Sequence, residues 1–227
     1  MITALIETAY QPTVDTFIQQ LLLDPISVPF MQRALLAVAL TGIVCGVVGA
    51  YVVTRGMAFL GDAMAHAIVP GVALSYIASG GTLGAVTIGG LSAAVFAALF
   101  IGWLTRGRRL SEDTAIGIVF AGMLALGIAI ISTTRNYSTD LTHLLIGNVL
   151  AVTPDDLALI AIVTVVVLLV IGLLYKELLI ISFDPTLARV QRLPAEGLRL
   201  LLLVLLAVTV VISLQTVGVA LVVSLLV

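Results

Sequence analysis

Residues 34–78 read ALLAVALTGIVCGVVGAYVVTRGMAFLGDAMAHAIVPGVALSYIA, and this stretch decides the fold. Two apolar blocks of about 20 residues lie either side of Arg55, each the length an α-helix needs to cross the roughly 30 Å hydrocarbon core of a bilayer. The strands of an outer-membrane barrel would be about half as long and would alternate apolar with polar residues, which these blocks do not. The second block carries Asp62 and His66 four residues apart, so both fall on one helical face. Pro70 has no amide hydrogen to give to the carbonyl of His66, and that oxygen is expected to be free beside the imidazole.

The rest of the chain extends the pattern. Of its 227 residues, 61% are hydrophobic and 10% charged, where soluble domains carry about a quarter charged residues, and the mean hydropathy is +1.28. The reading is an all-α, polytopic transmembrane helical bundle. Residues 1–30, mixed in character, form an N-terminal interfacial segment. Residues 31–227 form the membrane domain, with spans near 34–54, 59–78, 82–105, 112–134, 157–175 and 198–214. A last apolar run, 217–227, is too short to cross, so C-terminal helices are expected to be missing and the chain to be a piece of a longer protein. Residues 141–152 are also too short to cross and read as a re-entrant or interfacial helix.

Small residues predict close helix contacts at Gly42, Gly46 and Gly49, at Ala93 with Ala97 and Ala94 with Ala98, and along Gly117, Ala121, Ala125 and Ala129. The acids of Ser111-Glu112-Asp113 and Thr153-Pro154-Asp155-Asp156 read as charges at helix starts. Cys45, the single cysteine, reads as packing and leaves no disulfide framework. The first thirty residues lack a basic region followed by an apolar core and do not read as a signal peptide. In alternating loops, Arg55, Arg106, Arg108, Arg109, Lys176, Arg189, Arg192 and Arg199 fall on one side and Arg33 and Arg135 on the other. Basic loops stay inside, so the N-terminus is expected outside and the polar segment 176–194 in the cytoplasm.

An ionisable side chain inside a span is disfavoured by roughly 2.5–3.5 kcal/mol for a central aspartate and usually faces a bundle interior or a water path. Asp62 and His66 are therefore the main candidates for chemistry. A carboxylate with a neutral imidazole suits Zn(II), Mn(II) or Fe(II). Two ligands are too few for one ion, and a second copy of the chain across a pathway would supply two more. Asp140 and His143 form a weaker carboxylate–imidazole pair on the external segment. No Gly-rich phosphate loop is present, so ATP would have to bind another subunit. The 176–194 segment, with Asp184-Pro185 opening a short helix closed near Leu193-Pro194, is a natural docking element for it. The charge balance calls for no nucleic-acid partner. Two other readings stay open: an intramembrane metalloenzyme, which would need a third ligand and a base, and a non-transporting membrane scaffold.

The run from Ala34 through GDAMAHAIVPG, then SEDTAIGIVFAGMLALGIAIIS, DLTHLLIGNVLAVTPDDL and FDPTLARVQRLP, resembles the permease subunits of the zinc/manganese family of ABC importers, over about residues 30–227. The resemblance implies a type II importer-like permease in a prokaryotic cell membrane, working as a homodimer. It implies a cytoplasmic ATPase on each copy and an extracytoplasmic protein that delivers the metal. No cofactor would be permanently bound; the divalent ion is the cargo, contacted by Asp62 and His66. ATPase docking would fall on Asp184, Pro185, Ala188, Arg189, Leu193 and Pro194. In that family a glycine usually precedes the Leu/Ile-Pro pair, where this chain has Arg192, and family members continue past residue 227.

Overall fold

A computed structural model describes residues 28–57, 59–80, 82–106, 110–133 and 152–218, together with Val222, Ser224 and Leu226. The described residues form α1 (Pro29–Thr54), α2 (Leu60–Ala67), α3 (Val69–Ser79), α4 (Leu83–Leu104), α5 (Glu112–Ser132), α6 (Pro154–Leu173), α7 (Tyr175–Phe183), α8 (Pro185–Val190) and α9 (Ala195–Val217), with no strand among them. Among the described residues six stretches are long and apolar enough to cross a membrane, α2 and α3 together making one of them. The interfacial segment up to residue 27, the short helix expected at 141–152, and the pair Asp140 and His143 lie outside the described residues.

Local chemistry sets the ends of these helices. α1 begins at Pro29, earlier than the apolar pattern indicates, because proline supplies a ready φ at a first turn whose N–H groups have no partner anyway. It closes with Gly56 at φ 70°, the N–H of Met57 reaching back to the carbonyl of Val52 at 3.0 Å. Ser111 caps α5 by accepting from the Thr114 N–H. At α6 the Thr153 hydroxyl accepts from the Asp156 N–H while the Asp156 carboxylate takes the Thr153 N–H, a reciprocal capping box. Asp184 Oδ1 accepts from the N–H groups of Thr186 and Leu187, both at 2.9 Å, and so starts α8.

The end of α8 repeats the geometry that closes α1. The Leu193 N–H bonds to the Ala188 carbonyl at 3.0 Å, and Arg192 takes the left-handed position at φ 55°. This is a Schellman closure with arginine where glycine is favoured.

The interior is built around α9, whose apolar window is 67% buried against 22% for α5 and for α6. It packs on α4, α1, α2, α6 and α7. Leu202, Leu206, Ala207 and Val210 along it are sealed from solvent. Helix α3 crosses α4 at a glycine contact: a Cβ on Gly71 would strike the Gly89 carbonyl and Ala93, and one on Gly89 would strike Ser75. Ala93, Ala94, Ala97 and Ala98 are all buried, as their spacing predicts.

Two expected packing strips come out differently. Among the described residues a Cβ on Gly42 or Gly46 would meet nothing within 4 Å, and the close approach on α1 is at Gly49, against the backbone of Leu226. On α5, Ala121, Ala125 and Ala129 are exposed, and the buried stripe runs instead through Ala115, Ile116, Val119 and Gly127. Periodicity of small residues finds a smooth face, but it does not say whether this chain, lipid or another chain covers that face.

Candidate metal site and bundle end

The second span is not one helix. α2 and α3 meet at Ile68, two residues before Pro70, and a Cβ on Gly127 of α5 would lie 2.7 Å from Val69 and 3.2 Å from the Pro70 nitrogen. The glycine lets α5 lie directly on the break. The carbonyl of His66, expected to be free, is instead approached by the N–H of Ile68. Removing the proline's donor lets the chain tighten by a local contact rather than leave the oxygen bare.

Asp62 lies in the first turn of α2 and His66 in its last, where a helix's partial charges favour an acid and an imidazole respectively. Asp62 Oδ1 and His66 Nε2 are 3.6 Å apart, with 37% and 31% of their side chains exposed. The two side chains are thus part-exposed neighbours rather than a pair closed off in the core. Phe120 of α5 stands edge-on to the His66 ring, centroids 5.5 Å apart at 73°, and makes a second edge contact with Phe59 at 5.5 Å. The aromatic edge fixes the imidazole plane and leaves Nε2 turned toward the carboxylate. Chemically this is one oxygen and one nitrogen ligand on a preset spacing. Among the described residues no group of three or more His, Cys, Asp or Glu side chains converges.

Met57 and Met64 are packed in the core, and so is Cys45, whose Sγ lies 3.6 Å from Ser213 Oγ. Of the docking residues named from the sequence, Asp184 caps α8, Leu193 is half-buried against the core and Pro194 is exposed. Ala188 is fully buried and anchors α8 instead of facing outward. The side chains of Pro185 and Arg189 lie outside the described residues. The outward apolar surface at this end comes from Phe183, Leu187 and Val190, exposed by 68%, 40% and 75%. Their apolar character inside a polar loop was the signal for them.

A cavity of about 870 Å³ opens at the same end, lined by Arg55, Glu112, Leu193, Pro194, Glu196 and Arg199 among others. Arg55, which could have paired with Asp62 seven residues on, pairs with Glu112 at 3.2 Å. Burial pulls the Arg55 guanidinium below its ordinary value, Glu112 opposing the shift and Arg199 adding to it.

The sequence profile of the ABC 3 transport family matches residues 27–227. This chain belongs to that family. It is 43% identical over 212 residues to the manganese transport system membrane protein MntC of Halalkalibacterium halodurans, covering 93% of this chain and 70% of that one. It is 39% identical over 206 residues to a probable iron transport system membrane protein of Haemophilus influenzae, covering 91% and 74%. Among solved structures, PsaBC from Streptococcus pneumoniae in complex with Fab superimposes with a TM-score of 0.72 at 37% identity, over 100% of this chain and 74% of that one. The ABC 3 chain is therefore a multi-pass membrane permease, and its broken second span carries the one carboxylate–imidazole pair within the described residues.

Proposed function

We propose that this ABC 3 permease carries a divalent transition-metal ion, of the manganese, iron or zinc class, inward by alternating access, powered by a separate ATPase subunit. The observation that carries the reading is the Asp62–His66 pair, 3.6 Å apart and part-exposed within a membrane span, in a family whose relatives are named for manganese and iron transport. Ionisable groups in a span mark an ion path more often than a structural contact. Asp and His together suit these borderline metals.

A second permease copy supplies the other pair, making four ligands in the pathway between them. The exposed small-residue face of α5, beside the site, is where the copies approach. Such a shared site is weak, which suits a cargo that has to leave. The basic loop end is cytoplasmic and the N-terminus outside. The ATPase docks on the exposed apolar surface of Phe183, Leu187 and Val190 with Pro194. An extracytoplasmic binding protein delivers the ion at the opposite end, and no cofactor is retained.

The test is uptake of radioactive Mn(II) and Zn(II) by cells whose membrane expression of the permease is verified. Asp62→Ala and His66→Ala are each expected to lower uptake about tenfold or more, since each removes one of few ligands. Wild-type uptake in both variants would overturn the site.

A further inference from the structure

Away from the Asp62–His66 pair, one carboxylate gathers the ends of four spans. Glu112, the first residue of α5, accepts through Oε1 from Arg55 Nη2 and from Arg199 Nη1, both at 3.2 Å. Arg199 donates in addition through Nη2 to the Gly102 carbonyl near the end of α4, also at 3.2 Å. The ends of α1, α4, α5 and α9 are thereby tied at one oxygen and one guanidinium. The cavity's other acid, Glu196, is exposed and faces Arg106 at 3.6 Å. Among the described residues, Arg55 Nη1 and Arg199 Nε are buried without a partner, so neither arginine has a competing anchor there through those atoms. The two cations repel each other, and Glu112 is what holds them together.

Each member of the cluster is joined by a short stretch to a working part. Arg199 follows Pro194 by five residues, and Leu193, Pro194 and Ala195 line the same cavity as the three charged groups. Arg55 closes α1, and the Gly56 turn after it leads straight into α2 with Asp62. Glu112 precedes Phe120 by eight residues on α5, about 12 Å along a rigid helix, and Phe120 is the ring that holds His66.

We infer that Glu112 is a positioning residue that transmits displacement of the 185–195 segment to the Asp62–His66 site, by moving Arg199, Arg55 and α5 as one unit. The inference rests on the transport reading above. A push on α8 and its closing turn shifts the start of α9. Through Glu112 that shift reaches both the turn that sets Asp62 and the helix that sets the His66 ring. The coupling passes through an ion cluster, which has discrete made and broken states, and not through a gradual deformation of packed side chains.

The test measures metal uptake and ATP hydrolysis together in proteoliposomes containing the permease with an ABC ATPase and a metal-binding protein. Arg199→Gln is the first variant, because it leaves a matched Arg55–Glu112 pair rather than two uncompensated cations. Expected is hydrolysis within about twofold of wild type and metal moved per ATP lowered about tenfold, the scale of coupling carried by a residue between two sites. Glu112→Gln is expected to do the same and Glu112→Asp to restore part of the ratio. A cluster that only fastens the bundle would lower uptake and hydrolysis in parallel with the amount of folded assembly, and an unchanged ratio overturns the inference. Should Arg199→Gln fail to assemble, Arg199→Lys keeps the charge but loses the planar fork that reaches both Glu112 and Gly102. A wild-type ratio in that variant overturns the inference equally. A wild-type assembly that moves no metal sinks the transport reading and this inference with it. Working wild type with fully coupled variants sinks this inference alone.

Discussion

Arg192 shows how much a single residue's backbone can say. It sits at φ 55° at the end of α8, a position that its counterpart Gly56 fills at φ 70° at the end of α1. A side chain with a Cβ is disfavoured there by roughly 1 kcal/mol. Arg192→Gly is expected to stabilise the purified protein by about that much, read as a higher thermal midpoint in detergent, and an unchanged or lower midpoint would remove the strain argument. Asp62 and His66 were legible because their spacing and their apolar surroundings are both local in the chain. Glu112 was not. It read as a helix-start charge, which it also is, and its partners Arg55 and Arg199 lie 57 and 87 residues away with no local pattern to connect them.

At the scale of elements, helices were readable and their contacts only partly so. Thr153-Pro154-Asp155-Asp156 announces the start of α6, and Thr153→Ala is expected to destabilise the fold by about 1 kcal/mol through loss of the capping box, measured by thermal or denaturant unfolding. Glycines divide by what faces them. Gly89→Val should disrupt the α3–α4 crossing, by about 2 kcal/mol or more as in other overpacked sites, because the Ser75 side chain and the Gly71 carbonyl occupy the space. Gly42→Ala should be neutral or slightly stabilising, since a Cβ there meets nothing within 4 Å. Comparing folded yield and thermal midpoint of the two variants tests the distinction, and equal effects would contradict it. The same logic explains the outward Ala121, Ala125 and Ala129. Their smooth stripe was legible, and its orientation depended on which side of α5 its neighbours α2 and α3 occupy.

At the scale of the molecule, the ends of α1, α4 and α7 and the starts of α5 and α9 share one pole, where Arg55, Arg106, Glu112, Glu196 and Arg199 meet. Arg55, Arg106 and Arg199, grouped by counting basic residues, are thus gathered at one end of the bundle. In the orientation proposed above, that pole is the cytoplasmic one. In a Cys45-less background, Val190→Cys, at a residue 75% exposed, is expected to react with an impermeant maleimide after permeabilisation only. Thr133→Cys at the opposite pole should react in intact cells, and the reverse pattern would invert the topology.

Composition and the length of its apolar runs determined by themselves that this chain is a helical membrane bundle, because a bilayer leaves few ways to satisfy the backbone of 20 apolar residues. The spacing of Asp62 and His66 likewise brought these two side chains together, because four residues place them on one face of any helix. Only the tertiary structure decided that the second span breaks at Ile68, that Ala188 points inward, and that one glutamate holds two arginines from distant parts of the chain. These features depend on which helices become neighbours, and that is set by packing summed over the whole bundle.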